Sequence, residues 1–302
     1  MKQRGWWLAL VATLGIMIAV FTSCAQDPIL SDEDSVTQIL ENDPTLLDEQ
    51  DVQVCIDKRL PFGDYDTEKA AVIKSRLWNV GQTVRVRFLG GDAYVQGKVM
   101  QYAKMWEEYA NVKFEQVTKG TADIHVGFNK DDGSWSYIGK DAMYLPQDSA
   151  TMNFGWFDHK TSDTEFRRTT LHEFGHALGM IHEHQHPVAG IPWDTTKVYE
   201  YYMKPPNSWS ENDVNRNIFE HYNKYQTQFC SYDAKSIMHY PVPEALTVGN
   251  FRVGLNTNLS DEDKRFVGKM YPFSGVRGTL KCKTYEVPPA AAARALPNVA
   301  KR

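Results

Sequence analysis

What the chain has little of narrows it first. Only four of its 302 residues are cysteine, and 33 Lys and Arg fall short of 38 Asp and Glu, for a net charge of -5. No half is basic enough to serve a polyanion, which excludes nucleic acid as an expected partner. Its longest apolar run, the sixteen residues from Trp6 to Phe21, is shorter than the roughly 20 needed to cross a bilayer as a helix, so a multi-span membrane protein is excluded. There are no internal repeats, which removes solenoids and propellers. What is present is ordinary: 42% hydrophobic residues and 20 glycines leave neither general disorder nor a collagen-like chain as an option.

Charge is unevenly placed. Residues 25–68 carry 13 acids against Lys58 and Arg59, while residues 69–302 come to +4. An acidic leader therefore precedes a nearly neutral body. Ahead of it, Lys2 and Arg4 followed by the apolar run read as a secretory signal. That run ends Val20-Phe21-Thr22-Ser23-Cys24, small residues before a cysteine that resemble a bacterial lipobox, which implies a lipid on Cys24. The expected segments are a signal at 1–23, an acidic spacer or pro-segment at 24–68, a catalytic body at 69–275 and a low-complexity tail at 276–302. The expected location is export, with a lipid anchor in the bacterial cell envelope and release by processing. Lipidation of Cys24 leaves Cys55, Cys230 and Cys282, among which one disulfide has three possible pairings.

The body begins with Thr83–Leu89, which alternates with period two as a strand does. Asp92–Tyr109 has helical spacing, and Val112–Val117 and Ala122–Phe128 read as further strands. Shorter strand candidates lie at Trp135–Ile138, Ala142–Leu145 and Met152–Trp156. Ser162-Asp163-Thr164-Glu165 has the form of a capping box and opens a helix that Gly179 can end. More helices are expected at 194–203, 210–222 and 260–270, the last capped by Ser260 and Asp263. The pattern predicts an α+β fold with a helix packed on a mixed sheet.

The chemistry concentrates in His172-Glu173-Phe174-Gly175-His176-Ala177-Leu178-Gly179-Met180-Ile181-His182. On a helix His172 and His176 stand one turn apart and can bite one metal ion. Glu173 is rotated by about 100° and faces elsewhere, where it can take a proton from water. His182 reaches the same ion only if the helix stops, and Gly179 permits that. Three neutral nitrogens leave an open position, as catalytic zinc requires. At this composition a chance HExxH is roughly a 1-in-70 event, and adding Gly179 and His182 lowers it to roughly 3 in 100,000. His159, His184 and His186 have the wrong spacing for that ion, and His239 reads as structural.

This stretch resembles the metzincins, zinc endopeptidases with HExxHxxGxxH and a later methionine turn. Glu183 after the third histidine, and Ser236-Ile237-Met238-His239-Tyr240 further on, look like the astacin-like branch. The resemblance covers about residues 70–272. It implies a metzincin-type catalytic domain: a mixed twisted sheet with a backing helix and an active-site helix, and one zinc ion in a cleft between two lobes. It implies His172, His176 and His182 as metal ligands, Glu173 as the general base and Tyr240 as a switchable group that stabilises the oxyanion. Met238 would be an apolar base beneath the histidines. Substrates would be proteins or peptides lying along an edge strand, for which Ala142–Leu145 is the best match by position, and the enzyme would be a monomer. In animal astacins a pro-segment aspartate covers the zinc, which makes Asp64 a candidate for that role and Cys55 another. The competing reading is a lipid-anchored binding protein with a relic zinc site; intact Glu173 and Tyr240 speak against it.

Overall fold

In the computed structural model of the chain, residues 54–56, 58, 60, 76–205, 207–221 and 231–274 are described. They fall in one compact unit, Leu46–Arg302. The signal segment with Cys24, Asp64, Cys230, Cys282 and the tail at 276–302 lie outside the described residues. Among the described residues, no helix is long and apolar enough to cross a membrane.

The alternating stretch forms β1 (Thr83–Phe88), with Val84 and Val86 fully buried. The helix α1 (Ala93–Ala103) follows, capped by Asp92, whose carboxylate accepts from the amides of Tyr94 and Val95. It leads through a tighter turn, Lys104–Glu108, to β2 (Lys113–Gln116), which lies parallel to β1. A strand–helix–parallel strand unit of this kind puts α1 on one face of the sheet. Next come β3 (Ile124–Gly127), β4 (Ser134–Ser136) and β5 (Met152–Phe154). The sheet order is β2-β1-β3-β5-β4, parallel except for the antiparallel pair β4–β5, so the sheet is mixed as expected and β4 is one of its edges.

Ala142–Leu145 is not a strand. It falls in the 3₁₀ turn Gly139–Tyr144, with Met143 and Tyr144 exposed rather than alternating. Gly139 sits at φ +53 and packs so closely on the backbone of Arg76 that a side chain would collide with its carbonyl. That reversal, and the buried Asp141 paired with Arg76 at 3.1 Å, curl the chain away from the sheet. On that side of the sheet the edge strand is therefore β4, with β2 at the opposite edge.

The second helix, α2 (Asp163–Ala177), is anchored at Ser162, whose hydroxyl accepts from the amide of Glu165. Only half of the predicted capping box forms. The Glu165 carboxylate turns instead to Trp156 Nε1, Arg168 and Thr169. At the other end the amide of Met180 bonds the carbonyl of Gly175 and that of Gly179 bonds His176, a left-handed helix stop with Gly179 at φ +92. Trp78 Nε1 and the Tyr271 hydroxyl donate to the last carbonyls, those of Ala177 and Leu178.

Of three apolar clusters among the described residues, two build the lobes and the third is a small one of Ile191, Val242 and Val253. The larger of the two joins the sheet, α1 and α2 around Trp106, Phe154, Phe166 and Phe174, and includes Ile237, Met238 and Tyr271 from the returning chain. The smaller holds α3 (Thr195–Tyr202) and α4 (Glu211–Val214) together through Val198, Tyr202, Val214 and Ile218. α2 belongs to the larger cluster through Phe166, Leu171 and Phe174. α5 (Asp261–Met270) closes the larger lobe behind a capping box from Ser260 and Asp263.

Gly179→Ala is expected to lower unfolding stability by at least about 1–2 kcal/mol, since the left-handed backbone disfavours a β-carbon and Leu77 Cδ2 stands 2.7 Å from its place. Equilibrium denaturation of both proteins measures it; an unchanged midpoint would show that the helix stop tolerates a side chain.

Candidate active site

On α2, His172 and His176 are held from outside. His172 Nδ1 meets the carbonyl of Ile237 at 2.7 Å, and His176 Nδ1 meets that of Met180 at 2.9 Å. A carbonyl only accepts, so both Nδ1 atoms carry protons and both Nε2 lone pairs point inward. The helix stop at Gly179 returns the chain so that His182 Nε2 lies 3.1 Å from His176 Nε2. Burial, and then the neighbouring imidazoles, hold His172 and His182 well below the usual histidine range, so they are neutral.

A fourth group joins them. Cys55 Sγ lies 3.6 Å from His176 Nε2 and donates to Glu173 Oε2 at 3.5 Å. The ligand atoms of Cys55, His172, His176 and His182 are all within 4.8 Å of one another, and all four residues are buried. The cluster fits a zinc ion. His172 Nε2 is buried with no protein partner, and tetrahedral zinc places two ligand nitrogens about 3.3 Å apart, close to the His176–His182 spacing.

Glu173 is fully buried beside this cluster, and Oε1 meets no protein group. Burial pushes its carboxyl up to about 8, against the smaller opposing effects of the Cys55 thiol and Arg168. Met238 is also fully buried, and its Sδ lies so near Gly175 that a side chain there would collide with it. The methionine turn thus sits directly under the histidine-bearing turns of α2. Tyr240 donates from its hydroxyl to the carbonyl of Cys55. Its ring is 4.5 Å from that of His182 and stacks on His184 at 4.2 Å.

The remaining histidines are elsewhere. His159 is exposed, paired with Asp92 at 2.7 Å and stacked on Tyr94. His184 Nε2 bonds the carbonyl of Asn217, and His239 bonds Tyr232 and the carbonyl of Tyr240. Glu183 is half-buried, and its carboxylate accepts from the amide of Asp233 at 2.9 Å. One structural role is not legible in the motif. Besides capping α5, Asp263 accepts from Ser236 Oγ at 2.6 Å and from the amide of Ile237 at 2.8 Å. It thereby positions the peptide whose carbonyl orients His172. The capping pattern reveals Asp263; nothing in it points to the methionine turn.

A sequence model of the Matrixin family matches residues 90–222. That span holds the three-histidine stretch but stops before the methionine turn. Among solved structures, myroilysin is 52% identical, with a TM-score of 0.65, and the alignment covers 67% of this chain and 98% of that one. A second myroilysin structure is 45% identical over 74% of this chain, with a TM-score of 0.53. Glu183 and the Ser236–Tyr240 turn are the residues that carry the astacin-like resemblance. The chain belongs to the astacin-like metzincins. It is a zinc metalloendopeptidase with a catalytic zinc ion, and its substrates are proteins or peptides. Protein SpAN of Strongylocentrotus purpuratus is 22% identical over 265 residues, 81% of this chain, but this astacin-like chain spans only 39% of that relative's length.

Burial pushes the Glu183 carboxyl up to about 8, with smaller contributions from Asp263, Asp233 and Glu262, against the lowering bond from the Asp233 amide. The folded state therefore binds a proton more tightly than the unfolded one. Stability from this group is present at acid pH and is lost as pH rises from the unfolded value of 4.5 through about 8. Glu183→Gln, which keeps the accepting oxygen, is expected to flatten the fall in melting temperature between pH 5 and 8.5 relative to the parent at equal metal content. Parallel curves would rule out Glu183 as the source.

Proposed function

We propose that the enzyme hydrolyses internal peptide bonds with His172, His176 and His182 holding zinc, Glu173 as general base and Tyr240 as oxyanion donor. The observation that carries it is the convergence of three imidazoles on one buried point, with an unpartnered Glu173 oxygen beside them. When bound, zinc supplies Lewis-acid polarisation of the scissile carbonyl and makes water more acidic. Glu173 takes the proton of the attacking water, its Oε1 lying beside the ligand cluster with no protein hydrogen-bond partner. Once protonated, its buried carboxyl hands the proton to the leaving amine. Tyr240 already donates to a peptide carbonyl, that of Cys55, which is the contact an oxyanion would strengthen.

The present state is latent in this reading. Cys55 stands at the ligand cluster, its thiol faces the general base and its carbonyl occupies the tyrosine hydroxyl. A thiolate is a strong zinc ligand, so Cys55 would close the fourth position until the acidic leader is cut. Of the two pro-segment candidates, the geometry supports Cys55; Asp64 lies outside the described residues. The N-terminal pattern supports export with a lipid on Cys24, in which case cleavage of the leader would also release the body.

Glu173→Gln is expected to retain about one zinc per chain by elemental analysis while casein hydrolysis falls by a factor of about 10² or more. Retained turnover would sink the assignment of the base. Cys55→Ser is expected to raise the initial rate of the intact chain and remove its lag, with leader length followed by mass spectrometry. A lag unchanged in Cys55→Ser would remove the thiol from the latency mechanism.

A further inference from the structure

β4 is an edge of the sheet, and residues of the leader lie along it. The amide of Ile56 donates to the carbonyl of Ser134 at 3.1 Å, one rung of the kind an added strand makes. Two residues on, Lys58 Nζ lies 3.1 Å from Asp132 Oδ1 and 4.8 Å from the centre of the Trp135 ring. Trp135 Nε1 donates to the other carboxylate oxygen at 2.9 Å, locking the acid against the indole. One cation thus meets a carboxylate and a π face together.

The loop that presents Asp132 is built from below. Asn153 on β5, 1% exposed, donates to the carbonyls of Asn129 at 2.9 Å and Gly133 at 2.5 Å. Its side-chain oxygen accepts the amide of Asn129 at 2.8 Å. A buried amide with three bonds to one loop holds that loop in place whether or not Lys58 is there. An ion pair made only to pin the leader would need no such support.

We propose that Asp132 and Trp135 form a subsite for a lysine or arginine side chain of the peptide substrate, filled in this state by Lys58. Cys55 marks the metal-facing position and Lys58 stands three positions on, so the selected residue lies about three positions from the scissile bond. Arginine fits as well as lysine, because a guanidinium stacks on an indole and pairs with a carboxylate. This inference rests on the peptidase reading and on a substrate lying along β4.

Cleavage-site profiling of a mixed peptide library by the purified zinc-loaded protein, in whichever processed form turns over casein, tests it. Lys and Arg are expected to be enriched about five- to tenfold over Ala at one position about three residues from the cut. That ratio, internal to each protein and so independent of total activity, should fall to about one in Asp132→Asn. It should shift toward Asp and Glu in Asp132→Lys. A flat profile at that distance in the parent, or a basic preference that survives Asp132→Asn, overturns the proposal. So does a flat profile accompanied by faster activation of Asp132→Asn, which would make the pair a clasp on the leader alone. Failure of the peptidase reading is distinguishable, because then the parent cuts no library member at all.

Discussion

The hydrogen bond from His172 Nδ1 to the carbonyl of Ile237 links the active-site helix to a peptide 65 residues later, and much of the larger lobe serves to keep it. Asp263 holds the amide side of that region through Ser236 and Ile237, and Met238 packs beneath Gly175. A neighbouring bond, from His176 Nδ1 to Met180, depends on the helix stopping at Gly179. Outer partners of this kind fix the tautomer and aim the ring, so that the metal-binding nitrogens converge before any ion arrives. Without them three histidines would be three rotamers in search of a common point.

The same geometry explains how the leader fits. Three interactions that a bound peptide would need are already made by residues 55–58: a carbonyl on Tyr240, an amide on the edge strand, and a side chain against Asp132 and Trp135. Cys55 adds a thiol at the ligand cluster, which an ordinary peptide lacks. Cys55 therefore sets its carbonyl on the tyrosine and its sulfur beside the histidine nitrogens.

Much of this was legible in the chain. His172, His176 and His182 are local in sequence, and helix periodicity with one glycine is enough to bring them together. The mixed sheet and backing helix were readable from Thr83–Leu89 and the helical stripe after Asp92, because burial on one face leaves a period in the sequence. Ala142–Leu145 misled because four residues carry too little periodicity, and the decisive facts were a tight approach to Arg76 and a buried ion pair. The Glu165 half of the capping box misled for a similar reason, since Trp156 and Arg168 compete for the same carboxylate.

By itself, then, the sequence determined the metal-binding stretch, the helix that carries it and its glycine stop. Each of these depends on neighbours within about three turns of chain. Only the tertiary structure decided which strands form the edges, that Asp263 orients a histidine from the far end of the body, and that Cys55 meets the base. Those are contacts across 26 to 121 positions, and no local propensity encodes a distance of that kind.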